Sequence, residues 1–197
     1  MFTGIVETIG TIQQVITMGT NKTFWIESSL AKELKADQSL SHGGVCLTVE
    51  EVTDQLHRVT AIEETLKKTN LDSWQKGDMV NLERCLQLNA RIDGHFVQGH
   101  IDAKGICKKQ KERKGSWEFT FEFPKQFAEL IIEKGSICIN GISLTAFNVT
   151  KKKFTVAIIP YTYQHTNLKS IKKDDTVNLE FDIIGKYLHR RLSLKEK

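Results

Sequence analysis

Apolar and polar positions alternate along most of this chain in runs too short for long helices. TFWIES (23 to 28), HRVTAI (57 to 62), WEFTFEF (117 to 123) and KFTVAII (153 to 159) carry apolar side chains two residues apart. A period of two sends one set of side chains to a core and the other to solvent, which predicts half-buried strands. Two stretches break the alternation. Ser29 to Leu34 and Lys125 to Glu133 read as short helices, the second opened by Pro124 in a position that suits the first helical turn. After Asp182 the period changes again, with Ile183, Ile184, Tyr187, Leu188, Arg191 and Leu192 at helical spacing before a charged, fraying end.

The whole pattern is written twice. Gly44, Val45, Cys46, Leu47, Thr48, Val49 returns as Gly141, Ile142, Ser143, Leu144, Thr145, Ala146, an interval of 97 residues. At that interval Ile62, Thr65, Thr69, Asn70 and Leu71 meet identical residues at Ile159, Thr162, Thr166, Asn167 and Leu168, and KGDMVNLE (76 to 83) meets KDDTVNLE (173 to 180). Gly4, Val6, Glu7 and Gly10 meet Gly99, Ile101, Asp102 and Gly105 at 95, so a two-residue length change lies between. The chain is one module duplicated. Each copy holds about six short strands and one helical interlude, the inventory of a small closed antiparallel barrel, with an open two-layer sandwich as the alternative. The seam runs through LNARIDGHFVQGH, where Gly94 offers a turn, and the expected units are 1–92, 93–182 and a tail, 183–197, outside the repeat. The tail's apolar stripe suits either a subunit contact or packing onto its own barrel.

Composition changes this picture little. With 197 residues and 40% hydrophobic content the chain can bury two cores. Cys46, Cys85, Cys107 and Cys138 form no C-x-x-C and read as reduced thiols. The opening MFTGIVETIG lacks the regions of a signal peptide and no apolar run reaches membrane-spanning length, so a soluble, cytoplasmic protein with no membrane partner is expected. A net charge of +4 sits largely in lysine runs at 108 to 114, 151 to 153 and 172 to 173, with almost no aromatics among them. They read as solvated loops, and no nucleic acid partner is expected. The phosphate-loop, dinucleotide, nucleophile-elbow and H-E-x-x-H motifs are all missing from the sequence.

Candidate chemistry centres on the repeated block. Cys46 and Thr48 lie two apart on a strand and share a face, as do Ser143 and Thr145. Such groups suit hydrogen bonding to a planar polar ligand, and are also ordinary on a barrel rim. The shared T-x-x-x-T-N-L of 65 to 71 and 162 to 168 reads as a turn capped by threonine, or as the closure of such a site. His95 and His100, five apart, would face opposite sides of a strand, and no third ligand is spaced for a metal. His100 stands where the first copy has Ile5, a break in the duplication.

MFTGIVE, GVCLTV, EETLKKTNL, GHFVQGHID, NGISLT and VNLEFD occur in this order. The chain thereby resembles, over nearly its whole length, the riboflavin synthase alpha-chain family of duplicated lumazine-binding domains. The resemblance implies an all-β fold of two tandem six-stranded antiparallel Greek-key barrels plus a C-terminal α-helix that gathers a homotrimer. It implies a transferase that dismutates 6,7-dimethyl-8-ribityllumazine into riboflavin and 5-amino-6-(ribitylamino)uracil, with no metal or redox cofactor. Each barrel would hold one lumazine, and the working site would lie between the N-terminal barrel of one subunit and the C-terminal barrel of another. Association with lumazine synthase is a further partner in view.

Carried over residue by residue, the N-terminal pocket would use Gly4, Ile5, Val6, Cys46, Leu47, Thr48 and the segment Ala61, Ile62, Glu63, Glu64, Thr65, with Phe2 and Thr3 lying over the site. The C-terminal pocket would use Gly99, His100, Ile101, Lys134, Ser143, Leu144, Thr145 and the segment Ile159, Pro160, Tyr161, Thr162, with Asp182 nearby. Cys46, His100, Ser143, Thr145 and Asp182 are the expected catalytic groups. The chain departs from the family's pattern at Gly43, where asparagine is common, and at Tyr163, where leucine is usual. The rival implied by the same duplicated fold is a lumazine- or flavin-carrying protein without turnover.

Overall fold

The computed structural model describes residues 1–194; the charged end read as fraying, Lys195 to Lys197, lies outside them. Twelve strands form two closed barrels. The first contains β1 (Thr8–Met18), β2 (Asn21–Glu27), β3 (Ser39–His42), β4 (Val45–Val52), β5 (Leu56–Ala61) and β6 (Met79–Arg84). The second contains β7 (Ala103–Arg113), β8 (Ser116–Glu122), β9 (Ser136–Ile139), β10 (Ile142–Phe147), β11 (Lys153–Ile158) and β12 (Thr176–Phe181). Around the first barrel the order is β1, β2, β5, β4, β3, β6, and the second repeats it strand for strand, with every pairing antiparallel. The meander of β3, β4 and β5 brought beside β2 is a Greek key. Closure leaves no unpaired sheet edge, so the open sandwich does not apply.

The predicted alternation becomes the division between lumen and outside. Ile12, Phe24, Ile26, Leu40, Val49, Val59, Val80 and Leu82 are fully buried in the first barrel, and Phe119, Phe121, Phe154, Val156, Val177 and Leu179 in the second. The long hairpins β1–β2 and β7–β8 each carry a bulge, between Ile12 and Gln14 and between Cys107 and Lys109, which adds the local bend that barrel closure needs. The predicted helical interludes shrink to 3-10 turns at Ala31–Glu33 and Lys125–Leu130, with Pro124 flanking the second. The T-x-x-x-T-N-L segments gain structure beyond a capped turn. Short helices α1 (Glu63–Lys68) and α2 (Pro160–His165) precede 3-10 turns, and Thr69 and Thr166 cap those turns by accepting from Leu71 N and Leu168 N.

The barrels meet across a seam whose contacts come in matched pairs. Asn81 Nδ2 donates to Asn167 Oδ1 and Asn178 Nδ2 donates to Asn70 Oδ1, at 2.9 and 2.8 Å. Phe2 and Val97 exchange both backbone hydrogen bonds, and Gly44 and Gly141 pack backbone to backbone. Exchanging the two copies maps these contacts onto one another, so the seam has local two-fold symmetry. α3 (Ile183–Ser193) follows β12, capped by Asp182 and tied back by Lys186 to Asp102 at 2.6 Å. It lies beside Lys125–Leu130 but buries no residue: Ile184, Tyr187, Leu188 and Leu192 are all more than half exposed.

Candidate active site

Val45, Leu47 and Val49 point into the first lumen, which turns Cys46 and Thr48 outward. β10 repeats the arrangement with Ser143 and Thr145. The candidate groups therefore sit on the outer wall of each barrel. Leu47 faces the core and can meet a ligand only through its backbone, whereas Leu144 is half-buried. A cavity of about 940 Å³ lined by Gln13, Gln14, Trp25 and Trp74 lies elsewhere on the first barrel and contains none of the candidate residues.

Each outer shelf is completed by a segment from the opposite copy. The Ser143 N–H on the second barrel donates to the Gly4 carbonyl at 2.8 Å, and Val6 packs against the second core. Reciprocally, the Cys46 N–H on the first barrel donates to the Gly99 carbonyl at 2.9 Å, and Ile101 packs against the first core. This corrects the expected grouping. Gly4, Ile5 and Val6 belong with Ser143, Leu144 and Thr145, while Gly99, His100 and Ile101 belong with Cys46, Leu47 and Thr48. The exchange requires glycine, because a Cβ at Gly4 would stand 2.7 Å from the Ser143 Cβ and one at Gly99 2.6 Å from the Cys46 Cβ. Both also hold positive φ, 77° and 80°, which glycine adopts without strain. Phe2 and Thr3, expected over the site, are instead buried in the seam. Phe2 packs with Val97, Cys138 and Cys46, and Thr3 hydrogen-bonds Glu83.

The two shelves differ in their reactive groups. Ser143 Oγ lies 2.7 Å from His95 Nδ1, a residue considered from the sequence only as a metal ligand. His95 is fixed by its N–H to the Thr3 carbonyl, and Gly94 passes so close to Thr3 and Ser143 that no side chain fits. Burial holds the His95 imidazole below its usual value, against the pull of the Asp182 carboxylate. A neutral imidazole can accept the serine proton. Burial pushes the Cys46 thiol up, only partly offset by a hydrogen bond from Ser39, so it carries little thiolate. That favours positioning over nucleophilic attack. His100 is exposed and anchored by its backbone, its N–H donating to Glu180 at 3.1 Å.

Around the second shelf, Lys134 adopts φ 65° and sets its Nζ 5.6 Å from the Phe147 ring centroid. Ile159 and Tyr161 stand exposed at the start of α2, with Pro160 at its first turn and Thr162 accepting from Thr166 through its carbonyl. Around the first, Ala61 is buried and Ile62 exposed, and Glu63 and Glu64 pair with Lys67 and Lys68 along α1. Thr65 uses its carbonyl to hold Thr69. Among the described residues, no group of three or more His, Cys, Asp or Glu is arranged to hold a metal ion. No described helix is long and apolar enough to cross a membrane.

The departures from the family's pattern find physical partners. The Trp74 ring lies 3.2 Å from where a Gly43 Cβ would stand, and so occupies side-chain space. In the second copy Asn140 keeps its side chain, accepting from Asn178 N at 2.8 Å, and the residue matched to Trp74 is the smaller Ile171. Tyr163 stacks on Trp117, centroids 3.9 Å apart and planes 3° off parallel.

Comparison with known proteins bears on the two barrels. The lumazine binding domain matches the chain twice, over residues 3–85 and 98–182. Riboflavin synthase of Bacillus amyloliquefaciens is 35% identical, with 100% of this chain and 92% of the relative covered. That of Actinobacillus pleuropneumoniae is 38% identical over 99% and 91%. The crystal structure of LumP complexed with riboflavin superposes with a TM-score of 0.86 at 21% identity, covering 92% of this chain and 99% of LumP, a likeness of fold. Two copies of the domain, one per barrel, together with relatives matched from end to end, show that this chain belongs to the riboflavin synthase family of duplicated lumazine-binding domains.

Proposed function

We propose that the chain is a riboflavin synthase: a cytoplasmic transferase that moves a four-carbon unit between two molecules of 6,7-dimethyl-8-ribityllumazine, without metal or redox cofactor. The observation that carries this reading is the doubled shelf, a short polar pair on each barrel's outer wall completed by the opposite copy's arm. Residues 1–92 and 93–182 each carry one lumazine-binding shelf and lend an arm to the other. The acidic C7 methyl of one lumazine supplies the carbanion, and the other ring supplies the electrophile. Holding the rings face to face can remove about 7 to 11 kcal/mol from such a barrier. Ser143 backed by His95 is the group placed to manage the methyl proton, with Thr145 on the same face. Cys46 and Thr48 orient the second ring.

Shelves on outer walls are open on one side, which supports a site closed by another subunit. The exposed stripe of α3 supports a subunit contact, and the resemblance to the family makes the assembly a homotrimer. The test is to incubate purified protein with the lumazine alone and a metal chelator. Riboflavin and the pyrimidine should appear in equal amounts. Loss of activity on chelation would overturn the cofactor-free mechanism, and one tightly held ligand per chain with no riboflavin would make the protein a carrier.

A further inference from the structure

Two carboxylates are buried in the seam, and neither hydrogen-bonds the Cys46, Thr48, Ser143 or Thr145 side chain. Glu83 on β6 is 5% exposed and its repeat partner Glu180 on β12 is 1% exposed. Burial raises both above the usual carboxylate range, and a cradle of donors opposes that rise. Glu83 accepts from Thr3 N at 2.6 Å, Thr3 Oγ1 at 2.7 Å and Gly4 N at 3.0 Å. Glu180 accepts from Gln98 N at 2.7 Å, Gly99 N at 2.9 Å and His100 N at 3.1 Å.

The glycines in these cradles are the ones that cross over. Gly4 gives its N–H to Glu83 on the first barrel and accepts the Ser143 N–H of the second through its carbonyl. Gly99 gives its N–H to Glu180 on the second barrel and accepts the Cys46 N–H of the first. A single residue thus joins the last strand of one barrel to the site strand of the other, and its contact with the site strand leaves no room for a Cβ. A carboxylate serving several N–H groups fixes their peptide planes more tightly than a neutral acceptor would.

We propose that Glu83 and Glu180 are positioning residues wired crosswise: Glu83 sets the Ser143 shelf of the second barrel, and Glu180 sets the Cys46 shelf of the first. The ligand arm of this inference rests on the proposed function; the wiring does not.

The test uses the full-length chain, labelled with ¹⁵N, carrying Glu83→Gln or Glu180→Gln. Each change keeps the side-chain size but replaces an acceptor oxygen by an NH₂ facing backbone donors. Glu180→Gln should shift the Cys46 amide resonance and leave that of Ser143 in place, and Glu83→Gln should do the reverse. In titrations with 6,7-dimethyl-8-ribityllumazine, each variant should weaken binding at the opposite barrel by about tenfold to a hundredfold. Perturbation of its own barrel's shelf alone, or of both equally, would overturn the proposal. Crosswise amide shifts without lumazine binding would support the wiring and sink the functional reading.

Should either variant fail to fold, the wild-type chain answers by acid titration. The Ser143 amide should follow the Glu83 carboxyl and the Cys46 amide the Glu180 carboxyl, both with midpoints above the ordinary 4.5. The other titratable groups in reach are Cys138, which feels both carboxylates, and Cys46, Asp102 and Lys186, which feel or face Glu180. Same-barrel pairing of amide and carboxyl, or no correlation, would overturn the proposal.

Discussion

The two barrels share a strand order and a seam, yet differ in the deepest part of the core. In the first, His42 and His57 are fully buried with their Nε2 atoms 2.9 Å apart, and His42 Nδ1 lies 3.0 Å from the Leu40 carbonyl. The matched positions in the second are Ile139 and Phe154, part of an apolar core rich in phenylalanine. The His57 Nδ1 has no partner. One barrel thus carries a polar defect that the other shows to be dispensable for folding. What the copies keep is what joins them: Asn70 and Asn167, Asn81 and Asn178, Glu83 and Glu180. Duplication has kept these polar contacts of the seam and let the cores and shelves diverge.

That contrast can be broken in four ways. Deleting residues 184 to 197 removes nearly all of the tail that follows the second copy. It should leave two folded barrels that still bind ligand while turnover falls steeply, as sedimentation beside a rate assay would show. A truncated monomer with full turnover would mean that the two barrels of one chain suffice. Next in size is the shelf asymmetry. Ser143→Ala removes the group backed by His95 and should lower kcat by about 10² to 10⁴, whereas Cys46→Ser, which keeps a neutral hydrogen-bonding group, should stay within about tenfold. Steady-state rates of the two variants decide it, and equal losses would make the shelves equivalent.

The histidine pair gives the third. Burial, reinforced at His42 by its neighbour, holds His42 well below 6.5, and burial alone takes His57 to about 4. A base whose folded value is depressed resists protonation only while folded. Its contribution is complete above the unfolded value near 6.5 and is lost as pH falls toward about 4. For His57 this amounts to about 3 kcal/mol. Thermal unfolding followed from pH 7 to 4.5 should show the first barrel weakening, and the double change His42→Ile with His57→Phe should flatten that dependence. The smallest effect is at the seam. Gly43→Asn should cost about 1 to 3 kcal/mol against Trp74, and adding Trp74→Ile should recover part of it in a double-mutant cycle on Tm.

The sequence carried most of the architecture, because a period of two repeated at a fixed interval specifies both the strands and their order of occurrence. It missed α1 and α2, since six residues are too few to display a helical period. The residue types of the shelves were readable from GVCLTV and GISLT. Their grouping was not, because matching one copy to the other assigns Gly4 to the first barrel and Gly99 to the second, while the chain crosses over. His95, weighed only for a metal, has no matched residue in the first copy to mark it as part of a shelf. The buried His pair left no signal either, since His42 ends a short strand where an exposed polar residue is equally consistent with the alternation.

The crossing of the two arms also orders a history. An ancestral single copy with the same arm could not have laid that arm on its own shelf without abandoning this geometry. Two such chains could have exchanged arms about a true two-fold axis, pairing at the point where Phe2 now meets Val97. Joining them end to end would then have fixed the partner and laid the joining segment, with His95, against Ser143. Once one gene encoded both halves, the halves no longer had to be identical, and a site able to hold one molecule as donor and another as acceptor could arise from a symmetric pair.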